Sequence, residues 1–442
     1  MHLTDDTVEQ LLKAEISGSE RKQAIRHLLL GCEECQQRAR STARRLGVTL
    51  ASDWMGEEAE IAYDRVFERV VKTAVATLRR LQDEKSVAAV LWASLQEHPP
   101  ARRLDVVASD PRMHTWGLYN RLMEIAREIT PTEPERALGV SELALAVADR
   151  LDPAAYTEAR VYDFRGAALA VRGNCKRVLE NFDGAGADLD RASGLLRQGT
   201  GDPLERAALL SYQGSLLTDM GSYEKAWRVL DRAARLYTKA GDEARIGRTM
   251  LQQSTAAGYV DPAKAVEILE EARPFIDPVR EPFLELSRRH SLALFLNDAG
   301  RTTEALEVLE DSRELYQRFP EQALRLAWLE GKIARNLENF DEAGKIFERV
   351  AADFLARSQF QEHLLASLDL AEVCYAQGDR ERTLEICTGL QHALESWNMH
   401  AEGLATMMLF VSSLRESQVE QSAFLQVAET LRRGWNRSQR LS

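Results

Sequence analysis

Between residues 210 and 390 a small residue and an alanine recur on a shared clock of about forty positions, and this double period constrains the fold more than any other feature. The small residues are Gly214, Ser254, Ala293, Gly331 and Ala371, separated by 40, 39, 38 and 40 positions. The second series is Ala226, Ala265, Ala305, Ala343 and Thr383, separated by 39, 40, 38 and 40. Each member of the second follows its partner by 12 positions, or by 11 in one pair. A period of roughly 20 to 50 residues marks a solenoid or array, whose units bury their apolar faces only by stacking on neighbours.

Each unit reads as two helices. Tyr223, Ala226, Trp227, Leu230, Ala233 and Ala234 fall at helical spacing and line one face. Gly214 and Gly331 sit inside the preceding helices, where glycine costs about 1 kcal/mol relative to alanine, so close approach of the partner helix has to offset it. A second glycine often follows the small residue by seven, as in Gly173 after Gly166, Gly221 after Gly214, Gly300 after Ala293 and Gly378 after Ala371. Such a glycine ends the first helix. Gly166 and Ala185 extend the pattern upstream as a repeat lengthened by an insertion around residues 174–179, and residues 115–151 read as a degenerate first unit.

At these residues the chain resembles the tetratricopeptide repeat family, whose pattern is a small residue, a turn glycine seven later, an alanine twelve later and a large apolar residue four beyond that. The last role falls here to Leu230, Leu269, Leu309 and Phe347. The period is nearer forty than the family's, about 34, and the family's early tryptophan and proline are missing; longer helices account for both. The resemblance covers about 320 of the 442 residues. It implies an all-α fold, a right-handed α-solenoid of paired helices over residues 113–442, and says little about activity.

A formal charge of −12 argues against broad nucleic-acid binding, which relies on neutralising many phosphates. No apolar run approaches the eighteen or so residues of a membrane span, and the opening MHLTDDTVEQ lacks the basic-then-apolar order of a signal peptide. A cytoplasmic protein that binds neither nucleic acid nor membrane is the expectation. Five cysteines cannot all pair; Cys175, Cys374 and Cys387 fall in helical patterns and read as buried reduced thiols.

The other two belong to residues 1–50, which read as three short helices. A first is capped near Thr4 or Asp5 with Val8, Leu11 and Leu12 on one face; a second follows a turn at Ser17 to Glu20, carries Ile25, Leu28 and Leu29, and stops at Gly31. Cys32-Glu33-Glu34-Cys35 comes next, with His27 five residues ahead of Cys32. Two thiolates three apart and an imidazole supply three of the four ligands of a tetrahedral zinc site. His2 is the candidate fourth, because a metal joining it to the later helices would staple fifty residues that have little core; Asp5 and Asp6 are alternatives. The competing reading is a reduced Cys-x-x-Cys at a helix turn or a redox pair, although a thioredoxin-like site would need a βαβ setting that is absent.

The order His2, His27, Cys32, Cys35 resembles the zinc-binding anti-sigma domain of bacterial regulators. The step from His27 to Cys32 is one longer than that family's commonest form, and His2 stands where a cysteine is more frequent. The resemblance implies a sigma factor as partner and a role in transcription regulation. Four protein ligands leave no position for water, so the zinc is expected to be structural, with metal binding worth on the order of 10 kcal/mol of folding free energy.

Arg38, Arg40, Arg44 and Arg45 make the next helix basic, either as a solvated face or for docking on an acidic partner. A connection is placed at about residues 47–60, and residues 51–112 are read as a helical adaptor or linker that holds Ile61, Val66, Val70, Val71 and Val75 at helical spacing and is broken by Pro99-Pro100. Residues 402–414 and 419–435 read as a capping pair, followed by a frayed basic tail through Arg440.

No catalytic constellation stands out, and the chain is read as a non-enzyme. Gly184-Ala185-Gly186 has no strand before it, a nucleophile elbow is absent, and Cys387 with His392 fits core packing. Counting the family's inward-facing positions from each small residue selects Arg248 and Thr255; His290, Leu294 and Asn297; and Arg325, Trp328, Lys332, Arg335 and Asn336. This basic, amide-rich set suggests a groove for an extended acidic segment; alternatively these are solvated positions paired to acids on neighbouring helices. The reading is a regulatory interaction scaffold, its zinc module binding a sigma factor and its array recruiting or sensing a protein. The alternative is an adaptor or substrate in a multi-protein bacterial signalling or defence assembly, with a purely structural zinc module.

Overall fold

A computed structural model describes residues 2–13, 15–16, 18–29, 32–46, 57–396, 401–416 and 419–438, and every regular element among them is helical. The chain divides into two compact units, Met1–Asp83 and Glu84–Ser442.

In the first unit, α1 (Asp5–Leu12), α2 (Gly18–Leu29) and α3 (Glu33–Arg45) pack on one another. Thr4 caps α1, its hydroxyl accepting from the Thr7 amide at 3.2 Å, which satisfies one of the donors a helix start leaves open. Among the described residues of this unit the buried apolar ones are Val8, Ile16, Ala24, Cys35 and Ala43. Two aliphatic side chains, two alanines and a cysteine make a thin core, the condition under which a short module needs a staple. Gly31, the expected stop of α2, and residues 47–56 of the expected connection lie outside the described residues, as do the side chains of Ile61, Val66, Val70 and Val71.

The boundary between the units falls inside α4 (Glu57–Gln96). In the second unit, Trp92 and Leu95 of α4 and Val107 of α5 (Pro100–Ser109) share a core with Leu118, Leu122 and Val140. Residues 84–109 of the expected adaptor are therefore built into the array's first layer.

Helix pairs follow in order: α6 (Trp116–Ile129) with α7 (Pro134–Ala148); then, past the short α8 (Pro153–Tyr156), α9 (Glu158–Val178) with α10 (Phe182–Leu196); α11 (Pro203–Asp219) with α12 (Tyr223–Ala240); and α13 (Glu243–Gly258) with α14 (Pro262–Ala272). Next come α15 (Pro282–Asp298) with α16 (Thr302–Glu310), the short α17 (Arg313–Gln317), α18 (Ala323–Asn336) with α19 (Phe340–Ala356), and α20 (Phe360–Ala376) with α21 (Arg380–Ser396). The chain closes with α22 (Ala401–Arg415) and α23 (Ser422–Ser438).

The lattice of small residues is where the pairs touch. Ala226, Ala265, Ala305, Ala343 and Thr383 are all 0% exposed, as are Ser254, Ala293 and Ala371. A Cβ on Gly214 would lie 2.4 Å from Leu230 Cγ, and one on Gly331 2.7 Å from Phe347 Cε1. The large residue four past each alanine thus fills the space the glycine leaves, which offsets the glycine's helix penalty with dispersion contacts.

Upstream the register differs from the expectation. α9 runs through Gly173 without a break, and it is Gly173, not Gly166, that faces Ala185 and Leu189, with a Cβ there 3.1 Å from Leu189 Cγ. Gly166 packs one heptad earlier on Leu196 and Ala192. Counted from Gly173, Ala185 comes 12 later and no insertion is required; the longer helix makes two close contacts where the others make one. Seven positions after the small residue the chain turns left-handed, at Gly221, Gly300 and Gly378 but also at Glu180 (φ 60°) and Glu338 (φ 61°). Those two non-glycine turns explain why the glycine pattern breaks at their repeats.

The last pair is seated differently. α22 packs on α21, while α23 packs on both α22 and α20. In the earlier repeats the neighbour of a first helix is the next first helix, as α11 is for α9 and α13 for α11. α23 takes that place beside α20.

Candidate metal centre and inner-face cluster

The first unit brings His2, His27, Cys32 and Cys35 together, one ligand atom from each lying within 4.8 Å of all the others. Cys32 is the N-cap residue of α3, and Cys35 lies in its first turn, where the helix start favours negative charge. His27 is carried by α2, and His2 stands just ahead of α1, so the four groups tie all three helices. His2 Nδ1 is 3.2 Å from Cys32 Sγ and 3.6 Å from Cys35 Sγ. A tetrahedron with zinc–sulfur bonds of about 2.3 Å and zinc–nitrogen bonds of about 2.0 Å has edges of about 3.5 Å.

Three surrounding features fit a metal. His27 Nε2 is shut off from solvent with no hydrogen-bond partner, a costly state for a ring nitrogen that bonding to a cation would relieve. The Leu3 amide donates to Cys35 Sγ at 3.1 Å, as suits a thiolate. Glu34 faces His2 Nε2 at 3.3 Å, orienting the ring so that Nδ1 is turned to the cysteines. Arg38 donates to the Leu3 carbonyl and pairs with Asp5 and Glu34, and Arg45 pairs with Glu9. Half of the basic face of α3 is therefore spent holding the module together, which leaves Arg40 and Arg44 exposed.

In the second unit the candidate groove residues come together in part. Trp328, Lys332 and Arg335 of α18 converge on Asp369 of α20: the indole N–H donates at 2.7 Å, and Lys332 and Arg335 each lie 3.0 Å away. Arg335 also binds Glu372 at 2.6 Å, and Lys332 stands 5.2 Å from the Trp328 ring centre. Burial pushes the Asp369 carboxyl up, but the two cations and the indole outweigh it and leave it below the ordinary value. Glu372, with weaker support, stays above its ordinary value. Arg248 pairs with Glu281. The cations read as open to an incoming carboxylate are thus already engaged by acids on the next repeat, which corrects the acidic-ligand expectation for Lys332 and Arg335.

His290 Nδ1 hydrogen-bonds Tyr316 at 2.7 Å, and burial, with Arg325 nearby, lowers it to about 4. Asn336 donates to the Asn297 carbonyl at 3.3 Å. The Asn297 side chain is 1% exposed, and neither its amide nitrogen nor its oxygen has a hydrogen-bond partner. Thr255 bonds back to the Leu251 carbonyl, and Leu294 packs partly buried on the core around Ala293. Crowding raises the Asp298 carboxyl although its side chain reaches solvent, while Lys332, Arg335 and Arg432 pull against it.

Asp369 and Glu372 were not among the sequence candidates. Carrying the inward-facing count one repeat further reaches Glu372, one position past Ala371. Asp369 lies two before Ala371, off that count, and no local signal marks it. Cys175 and Cys387 are buried and Cys374 half-buried; burial raises all three thiols, Cys387 to about 12. Gly184 and Gly186 lie within α10.

No protein-family model matches the chain, and no curated protein matches it. Among solved structures it is similar to the crystal structure of aspartyl phosphate phosphatase F from Bacillus subtilis, with a TM-score of 0.48 and 14% identity over 80% of this chain and 93% of that one. It is also similar to a signal transduction ATPase with numerous domains, carrying a tetratricopeptide repeat sensor, from Pyrococcus horikoshii, with a TM-score of 0.45 and 15% identity over 94% of this chain. The chain spans 65% of that second protein's length. Neither likeness bears on activity. No helix among the described residues is long and apolar enough to cross a membrane.

Proposed function

We propose that this chain is a non-enzymatic regulatory scaffold, in which the repeat array holds a protein partner and a zinc-bound N-terminal module engages a second protein, a sigma factor. The observation that carries the first half is the inner-face wall of α15, α18 and α20. It combines an aromatic side chain, engaged cations and the Asn297 amide, whose two polar atoms lack partners. Leaving such an amide unpaired costs about 1–3 kcal/mol. The buried, raised thiols of Cys175 and Cys387 are poor nucleophiles, which supports binding rather than covalent chemistry.

The second half rests on the metal geometry together with the exposed Arg40 and Arg44, which offer a basic face to an acidic protein surface. In the module, His2, His27, Cys32 and Cys35 would hold zinc, which supplies fold rather than chemistry. Affinity capture from the native cell tests both halves. The wild-type chain, an Arg325→Glu/Arg335→Glu variant and a Cys32→Ser/Cys35→Ser variant are compared. Loss of one partner in the first variant and of a sigma factor in the second is expected. A folded Arg325→Glu/Arg335→Glu chain that keeps every partner removes the groove reading. A zinc-loaded wild-type chain that captures no sigma factor removes the anti-sigma reading.

A further inference from the structure

A repeat array ends in a cap whose outer face is polar, because no further repeat covers it. α22 departs from that rule. It holds no charged residue from Gly403 to Leu414, although α21 and α23 cover one side of it. Leu404, Met407, Phe410, Val411 and Leu414 belong to the core shared with α20, α21 and α23. Ala405, Met408, Leu409 and Ser412 are exposed, and they fall at i, i+3, i+4 and i+7 on one helical face. Met408 is 49% and Leu409 70% exposed, Leu409 being the most exposed leucine among the described residues. A helix that is apolar all round is one that gets buried, and its chain neighbours bury this one on one side.

α23 does not cover the open side, because it turns toward the array. The Tyr375 hydroxyl of α20 donates to the Val419 carbonyl at 2.6 Å, Phe424, Val427 and Leu431 enter the shared core, and Arg432 lies 5.7 Å from the centre of the Tyr259 ring. Its Leu425, 62% exposed, adds to the apolar surface of the terminal pair.

The charge pattern indicates what covers α22. With a formal charge of −12, two copies of this chain repel over most of their surfaces and approach best where neither presents charge. A two-fold contact sets one patch against itself, and the sequence of α22 is complementary to its own reverse. With two such helices antiparallel and the axis between positions 408 and 409, Met408 of each copy faces Leu409 of the other and Ala405 faces Ser412. The small pair lets the helices approach while the large pair fills the centre. The same register places the residues that bound the uncharged run in the sequence, Glu402 and Arg415, opposite each other, and Glu416 opposite Ala401. Parallel alignment would instead set Glu402 on Glu402 and Arg415 on Arg415, which costs affinity.

We propose that the open face of α22 is a self-association surface, and that its occupant is α22 of a second copy in an antiparallel two-fold pair. The dimer goes beyond the scaffold reading and does not depend on it. It presents each array twice, so a partner with two binding segments is held more tightly than either site alone would hold it.

One helix face supplies less than the roughly 800 Å² per subunit of a standard interface, so the pair is expected to dissociate at micromolar concentration. Sedimentation equilibrium of the full-length chain across about 1 to 100 µM, the range a small interface calls for, should show a reversible monomer–dimer equilibrium. Leu409→Glu, which sets two carboxylates beside the axis, should give a monomer throughout with unchanged far-UV circular dichroism. Arg415→Glu, placed against Glu402, should weaken the dimer at least about tenfold, and Glu402→Arg/Arg415→Glu should restore it. Arg415 is exposed, so this exchange stays informative even where Leu409→Glu disturbs the fold. A wild-type chain that stays monomeric at the highest concentration overturns the proposal, as does a dimer that survives Leu409→Glu. Equal dimerisation by Arg415→Glu and wild type, or a double variant that recovers nothing, overturns it as well.

Discussion

Arg335 on α18 reaches across one repeat step to Asp369 on α20, 3.0 Å away, and Asp369 also holds Lys332 and the Trp328 indole. One buried carboxylate therefore compensates two cations from the preceding repeat. Removing it strands both, so Asp369→Ala should destabilise the array by about 3–5 kcal/mol. Asp369→Asn, which still accepts from Trp328, should cost less. Urea unfolding followed by far-UV circular dichroism measures this; a loss below about 1 kcal/mol for the alanine variant would show that the cluster is solvated and weak.

The repeat lattice predicts opposite signs for one chemical change. Gly214→Ala places a methyl 2.4 Å from Leu230 Cγ and should cost about 2–3 kcal/mol through overpacking. Gly389→Ala, in α21 with nothing within 4 Å of the added carbon, should stabilise by about 1 kcal/mol through helix propensity. Finding the same sign in both would contradict the packing described for the paired helices.

Glu338 holds φ 61° at the turn position where other repeats carry glycine. A left-handed conformation costs a residue with a Cβ roughly 1–2 kcal/mol, partly offset by the extra freedom glycine brings to the unfolded chain. Glu338→Gly should raise the midpoint of thermal unfolding by a few degrees, and Glu180→Gly likewise. A lowered midpoint in both would mean that their side chains contribute more than the backbone strain removes.

Elemental analysis of the purified chain should find one zinc per molecule. Cys35→Ser should reduce it below about one tenth, because a lost thiolate removes both a strong ligand and a charge. Chelation should melt α1 to α3, whose small core cannot stand without the metal, and leave the second unit's helicity in place. Full retention of residues 1–46 against proteolysis after chelation would exclude a structural metal.

His290 is lowered to about 4 by burial and Arg325, against an ordinary value of 6.5. The folded chain keeps it neutral while the unfolded chain takes up a proton, so its contribution to stability is complete above about pH 6.5 and declines as pH falls toward 4. Tyr316, whose hydroxyl hydrogen-bonds the ring, is itself pushed above its ordinary value by burial and stays neutral through that window. His290→Gln, which can still accept from Tyr316, should flatten the decline by on the order of 2 kcal/mol. Parallel pH profiles for the two chains would show that His290 is protonated in the fold.

Much of the fold was legible because repetition amplifies weak local signals. One alanine at a helix contact says nothing, but five on a common clock identify the contact, and Ala226, Ala265, Ala305, Ala343 and Thr383 are all fully buried. The register slip at Gly173 escaped because both Gly166 and Gly173 make close contacts, and seven positions apart is the same helix face. That His2, His27, Cys32 and Cys35 could gather was legible for a different reason: Cys-x-x-Cys is local, and only His2 had to come from afar.

By itself, the sequence determined which residues lie at helix contacts, where most of the pairs turn, and which four groups can meet around a metal. Each depends on spacing along one or two helices, and helical spacing is a local property. Only the tertiary structure decided that Asp369 would take the charge of Lys332 and Arg335, and that α23 would lie beside α20 with Arg432 at Tyr259. Those relationships join residues about 35 to 170 positions apart, brought together by the curvature of stacked repeats. That curvature is the accumulated result of many packing angles, and no single stretch of sequence encodes it.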